Sequence, residues 1–238
     1  MNATCLLITA TIHPSGPVVT QTDPEKRLKE YEQAIAFYAK MPYDIFVVEN
    51  SGFDFTQSPV FDELRRTHHL EFIAAPPSSQ HEKGKGFQEF EMLDFAVNQL
   101  GNRYRSFVKI TGRYIVRNAD RLIAEGVRDI RIDRHRRNKV AITGFFHCTI
   151  DFYQIYLRNL YLLANDPQGL YIEHVVYRQL SALQHKKWVQ LFRQTPEYEG
   201  VSGSHGNSMG RHPVKMKLRN VERKLLGLVG QQEFIVEY

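Results

Sequence analysis

Residues 4–52, TCLLITATIHPSGPVVTQTDPEKRLKEYEQAIAFYAKMPYDIFVVENSG, decide the fold. Thr4 to Ile12 is a short apolar run, rich in β-branched residues and stopped by His13, Pro14, Ser15 and Gly16, which reads as a buried strand feeding a loop. Asp23 and Pro24 then supply a cap and a first-turn proline for EKRLKEYEQAIAFYAK, where Leu28, Tyr31, Ile35 and Tyr38 recur at helical spacing. DIFVVENSG, Asp44 to Gly52, is a second buried strand ending in polar residues and a glycine. Strand, helix and strand in this order form a βαβ unit.

The alternation continues outward from that unit. Phe61 to His68 reads as a short helix, LEFIAAP as a third strand, and Gly86 to Leu100 as an amphipathic helix behind a polar loop. FVKITGRYIV is a further strand and Arg121 to Glu125 a short helix. IRIDRH and KVAITGFFHC read as two strands of a strand-rich insertion, and two long helices are predicted near Ile150 to Ala164 and Ile172 to Leu183. KKWVQLF and a Gly/Ser loop, VSGSHGNSMG, follow. The expected architecture is α/β, a mostly parallel Rossmann-like sheet flanked by helices in a single domain, with ligands outside the carboxyl ends of the strands.

Bulk properties agree with this reading. A chain of 238 residues, 42% hydrophobic and 24% charged, suits one large globular domain. No apolar run reaches the ~20 residues that cross a bilayer, and the apolar start lacks a basic leader, so a cytoplasmic protein is expected. Cys5 and Cys148 lie inside strand-like segments, as buried free thiols would. The net charge of +5 favours anionic partners, with basic residues gathered in Arg128 to Lys139 and Arg211 to Lys224. RHRRNK, residues 134–139, raises nucleic-acid binding as a rival reading. It lacks interleaved aromatics and lies among strands, so no nucleic-acid partner is expected.

Two segments promise chemistry. In SSQHEKGKGFQEFEML, Gly84, Lys85 and Gly86 fall at a helix start, where free amides, the helix dipole and a lysine make a cradle for phosphate or carboxylate. Neither GxxxxGK[ST] nor GxGxxG is present. In FVKITGRY, strand alternation puts Lys109, Thr111 and Arg113 on one face, where Arg113 could hold a phosphate in two-point fashion. Glu49, Asn50 and Ser51 end a buried strand where a base or ribose could bind, and His205 in the Gly/Ser loop could approach a diphosphate. Glu173 and Glu89, both near helix starts, are the candidate bases. His147 reads as a core histidine, and no metal-ligand spacing is found.

The order LITATIHP, IFVVENSG, GKGFQEFEMLDFA, KITGRYIV and VSGSHG resembles small bacterial glycosyltransferases of capsule and lipopolysaccharide gene clusters, which have a nucleotide-sugar-binding GT-A-like fold. The resemblance spans about residues 4 to 210. It implies a catalytic domain over 1–210 and leaves 211–238 as a basic segment, packed on the domain or facing an anionic membrane. By the same resemblance, Thr9, Thr11 and Glu49 to Ser51 would hold the nucleotide, and Lys85, Gly86, Lys109, Thr111 and Arg113 the donor sugar and phosphates. The acceptor would be a glycan or lipid-linked glycan. One departure is plain: most such enzymes hold a divalent metal with an Asp-x-Asp, and here Thr111, Gly112 and Arg113 stand in its place. Cationic side chains could then neutralise the leaving diphosphate without a metal. A nucleotidyltransferase using another phosphorylated donor is the alternative enzyme reading.

Overall fold

The computed structural model describes residues 2–16, 21–183, 187–199, 213–228 and 233–234. The first half alternates as expected: β1 (Asn2–Ala10), α1 (Pro24–Tyr38), β2 (Ile45–Glu49), α2 (Pro59–Thr67), β3 (Leu70–Ala74), α3 (Lys85–Leu100) and β4 (Tyr104–Thr111). The Asp23 carboxylate starts α1 by accepting from the amides of Glu25 and Lys26 at 3.0 and 3.3 Å. Next come β5 (Ile115–Val116), α4 (Ala119–Ala124), β6 (Ile130–Arg131), β7 (Arg134–His135), β8 (Val140–Ala141) and β9 (Phe145–Thr149). The second half closes with α5 (Ile150–Phe152), α6 (Ile172–Leu183), β10 (Val189–Gln190), β11 (Tyr198–Glu199) and α7 (Pro213–Leu228).

Seven strands form the main sheet in the order β10-β6-β9-β4-β1-β2-β3. All its pairings are parallel except the two made by β9, so the sheet is mostly parallel and Rossmann-like. β1 lies inside the sheet, with Leu6 opposite Ile45 of β2 on one side and Val108 of β4 on the other. The chain builds outward from β1 through β2 and β3, then crosses to β4 on the opposite side. That reversal opens a crevice between the carboxyl ends of β1 and β4.

Alternation along the strands fills two cores. Leu7, Phe46, Val48 and Phe107 pack with Phe90 and Leu93 of α3 and Val176 of α6, while Leu6, Ile8, Val47 and Val108 pack with Ala34 and Ile35 of α1 and Leu122 of α4. Cys5 and Cys148 are buried free thiols. No described helix is long and apolar enough to cross a membrane.

Three sequence expectations need correction. KVAITGFFHC is divided: β8 pairs with β7 in a small hairpin, while β9 enters the main sheet between β4 and β6. The helix expected near Ile150 to Ala164 is broken into α5, a π turn over Tyr153–Leu157 and a 3₁₀ turn over Leu160–Leu163. The cause is Asp94, buried on α3, whose two oxygens accept from the Tyr153 hydroxyl at 2.5 Å and from the amide of left-handed Asn159 at 2.7 Å. Finally, the basic run at 128–139 is only partly a solvated face, since Arg131, Arg134 and His135 are buried. Arg128, Arg136, Arg137 and Lys139 remain exposed.

Candidate functional site

The crevice between β1 and β4 holds a cavity of about 170 Å³. Thr9 and Thr11 of the first strand end, Thr111 and Arg113 of the fourth, Lys85 and Glu89 of α3, and Glu173 of α6 all line it. These seven were expected from the sequence. Arg27 and Tyr31 of α1 complete one side, and Thr143 and Gly144 come from the turn into β9.

At the wall of the crevice the Glu89 Oε1 accepts from Thr9 Oγ1 at 2.7 Å, Thr111 Oγ1 at 2.8 Å and Lys109 Nζ at 2.7 Å. Lys109 has no exposed surface, and its ammonium also donates to Thr111 Oγ1 at 2.7 Å and the Thr143 carbonyl at 2.9 Å. Its three N–H groups are thus all engaged inside the protein, which corrects the expectation that Lys109 meets a donor phosphate. Burial alone would raise the Glu89 carboxyl, but the Lys109 ammonium and the hydroxyl donors outweigh it and hold its pKa below the ordinary carboxylate range. Glu89 is therefore a counter-ion rather than a base.

Arg113 lies one turn beyond the end of β4, not on the Lys109 face as strand alternation suggests. Gly112 makes the turn possible: its amide donates to the Thr9 carbonyl at 2.9 Å, and a Cβ there would sit 2.6 Å from that oxygen. One Arg113 terminal nitrogen pairs with Glu30 at 2.9 Å, and the residue also lines the cavity. Arg27 donates through Nε and Nη2 to the Thr11 carbonyl at 2.8 and 2.6 Å, and its guanidinium carbon lies 5.9 Å from the Tyr31 ring. Arg27 and Tyr31 escaped the sequence reading. The signal was an arginine four residues before a tyrosine on the inward stripe of α1.

Glu173 stands in the first turn of α6. Burial pushes its carboxyl above the ordinary carboxylate range, and the Glu89 and Asp166 carboxylates add to the rise while Lys85 opposes it. Asp166 is a third residue that sequence reasoning missed. Its buried carboxylate lies against the start of α3, so close that a Cβ on Gly84 would fall 2.2 Å from Oδ2, and the amides of Lys85 and Gly86 act on it. The cradle read from Gly84 to Gly86 is thus filled by the chain's own carboxylate. Gly86 itself gives close packing, since a Cβ there would meet Ile172 at 2.7 Å.

Glu49, Asn50 and Ser51 sit behind the crevice rather than on it. The Glu49 carboxylate accepts from the amides of Ile12, Ser51 and Phe53 at 3.1, 2.9 and 3.1 Å, tying the loops after β1 and β2 together. Asn50 accepts from the Thr11 hydroxyl at 2.8 Å and Ser51 from the His13 amide at 2.9 Å. His205 lies outside the described residues. His147, on β9, contacts Ser106 at 3.1 Å, and burial depresses its pKa to about 3, so it stays neutral in the core.

No family model matches the chain, and no curated protein matches it by sequence. Among solved structures it is similar to a cytidylyltransferase from Leptospira borgpetersenii, at 9% identity over 100% of both chains with a TM-score of 0.49. It is likewise similar to the inositol-1-phosphate CTP transferase of T. maritima, at 12% identity over 93% of this chain and 97% of that one, TM-score 0.49. A third is mouse xyloside xylosyltransferase 1, at 11% identity over 80% and 85% of the two chains, TM-score 0.45. At these values the likeness assigns neither substrate nor reaction.

Proposed function

We propose that the protein is a glycosyltransferase that moves a sugar from a nucleotide-activated donor to a hydroxyl of a bacterial surface glycan. The reading rests on one observation: Arg27, Lys85 and Arg113 share a single cavity with the Glu173 carboxylate, at the place where strand order reverses. The acceptor oxygen attacks the anomeric carbon as the bond from that carbon to the diphosphate breaks. Glu173 takes the hydroxyl proton, a task suited to a carboxyl whose pKa lies nearer the working pH. Lys85 and Arg113 receive the charge that grows on the departing diphosphate, and Arg27, whose nitrogens donate to Thr11, Gln21 and Tyr31, adds its positive charge at the cavity wall. Thr9 and Thr11 contact the nucleotide from the β1 side.

Binding to the native state raises stability, so a thermal-shift panel of nucleotide sugars is the direct test. At least one nucleotide sugar is expected to raise Tm, and Arg113→Ala to lose that shift. Protection by a nucleoside triphosphate and by no nucleotide sugar would replace this reading with nucleotidyl transfer. Because Arg113 stands where an Asp-x-Asp would hold a metal, turnover is expected to survive EDTA. Abolished turnover that manganese restores would show that the cations do not replace a metal.

A further inference from the structure

The polarity of α7 is inverted relative to a helix that buries its apolar face. Its inner face carries Arg219 and Arg223, both buried, beside Leu226. Its outer face carries Leu218, Val221 and Leu225, which are 64%, 55% and 58% exposed and follow one another at i, i+3 and i+7. Lys217 and Lys224, also exposed, run along the edge of that apolar stripe.

Ion pairs fix this orientation. Arg223 holds both oxygens of Asp133 and donates to the Phe192 carbonyl at 2.8 Å and the Thr195 hydroxyl at 3.1 Å. Arg219 pairs with Glu222 at 2.7 Å, and its guanidinium carbon lies 3.6 Å from the centre of the buried Phe234 ring. Rolling α7 to bury its leucines would strip both arginines of their partners and leave Asp133 uncompensated in the interior. The apolar stripe is therefore held outward.

We propose that α7 docks on an anionic lipid surface, lying in the interface with Leu218, Val221 and Leu225 in the headgroup–acyl boundary and Lys217 and Lys224 against lipid phosphates. Charge selects this occupant. A second copy packed antiparallel on the stripe would bring Lys217 of one helix toward Lys224 of the other, whereas an anionic surface complements both lysines and the net charge of +5. The docking does not depend on the transferase reading.

Co-sedimentation of the full chain with phosphatidylcholine vesicles, with and without phosphatidylglycerol, tests the proposal. Binding is expected only with phosphatidylglycerol, weaker as salt rises. Lys217→Gln and Lys224→Gln should each lower the affinity about fivefold. Combined Leu218→Ser, Val221→Ser and Leu225→Ser should abolish it while the melting temperature stays that of the wild type. If the serine variant melts early, the paired lysine variant, which removes no packing, decides the matter. Failure of the wild type to sediment with anionic vesicles at low salt overturns the proposal. So does binding indifferent to the lysine variants, or a dimer by light scattering that the serine variant dissociates.

Discussion

Glu173 ties two measurable quantities together. Its folded-state pKa is raised, so the stability it contributes is fully present below the unfolded carboxyl pKa and is lost as pH rises through the folded value. At neutral pH the ionised side chain is a burden, and Glu173→Gln is expected to raise Tm there, with the gain vanishing at acid pH. The same variant should lower kcat by roughly 10²–10⁴ and remove the acid limb of the pH–rate profile. Glu89 has the opposite sign: its pKa is depressed, so its contribution is present above the unfolded pKa and disappears as pH falls through the folded one. Glu89→Gln should destabilise at neutral pH by about 3–5 kcal/mol by stranding Lys109, and Glu89→Gln with Lys109→Met by less than the sum of the two changes, as a double-mutant cycle in urea would measure. At this scale the sequence yielded the residues but not their pairing. Lys109 and Thr111 are legible as polar positions on an apolar strand, yet the partner that engages them comes from α3, twenty residues earlier in the chain.

Helix starts were legible as elements; what occupies them was not. Asp23 followed by Pro24 announced α1, and Asp23→Ala should cost about 1 kcal/mol in chemical denaturation. Because α1 presents Arg27 and Tyr31 to the crevice, the same change should weaken donor binding as well. Gly84 to Gly86 announced α3 just as clearly. The carboxylate against it, Asp166, stands some eighty residues away in a 3₁₀ turn that no periodicity marks. The glycine in KITGRY reads from sequence only as an oddity in a strand. Its contact with the Thr9 carbonyl explains it, and Gly112→Ala is expected to cost about 1–3 kcal/mol, seen as a lowered urea midpoint at unchanged slope. The broken helix after β9 was hidden for the same reason as Asp166, because a buried side chain, Asp94, overrides local propensity.

Across the whole molecule the parallel half of the sheet could be read from TCLLITATI and DIFVVENSG, while the placement of β9 could not, because a five-residue apolar strand carries no mark of its direction. The inward turn of α7 was equally hidden. Its sequence left packing on the domain and facing a membrane equally open, and only the Asp133 pairing reveals that the arginines face inward. Arg223→Ala should therefore lower Tm by on the order of 10 °C, whereas Leu218→Ser, at the same helix's exposed face, should leave it nearly unchanged. The interior position of β1, between β4 and β2, also bears on how the chain reaches its native state. Its partners on one side are about forty residues distant and on the other about a hundred, Leu6 meeting both Ile45 and Val108. The first three strands with α1 and α2 can close early as a local unit, but β1 then shows an open, apolar edge until β4 arrives. Refolding is expected to be slow for the chain's size and to lose yield steeply with protein concentration, with the edge of β1 as the point of mispairing.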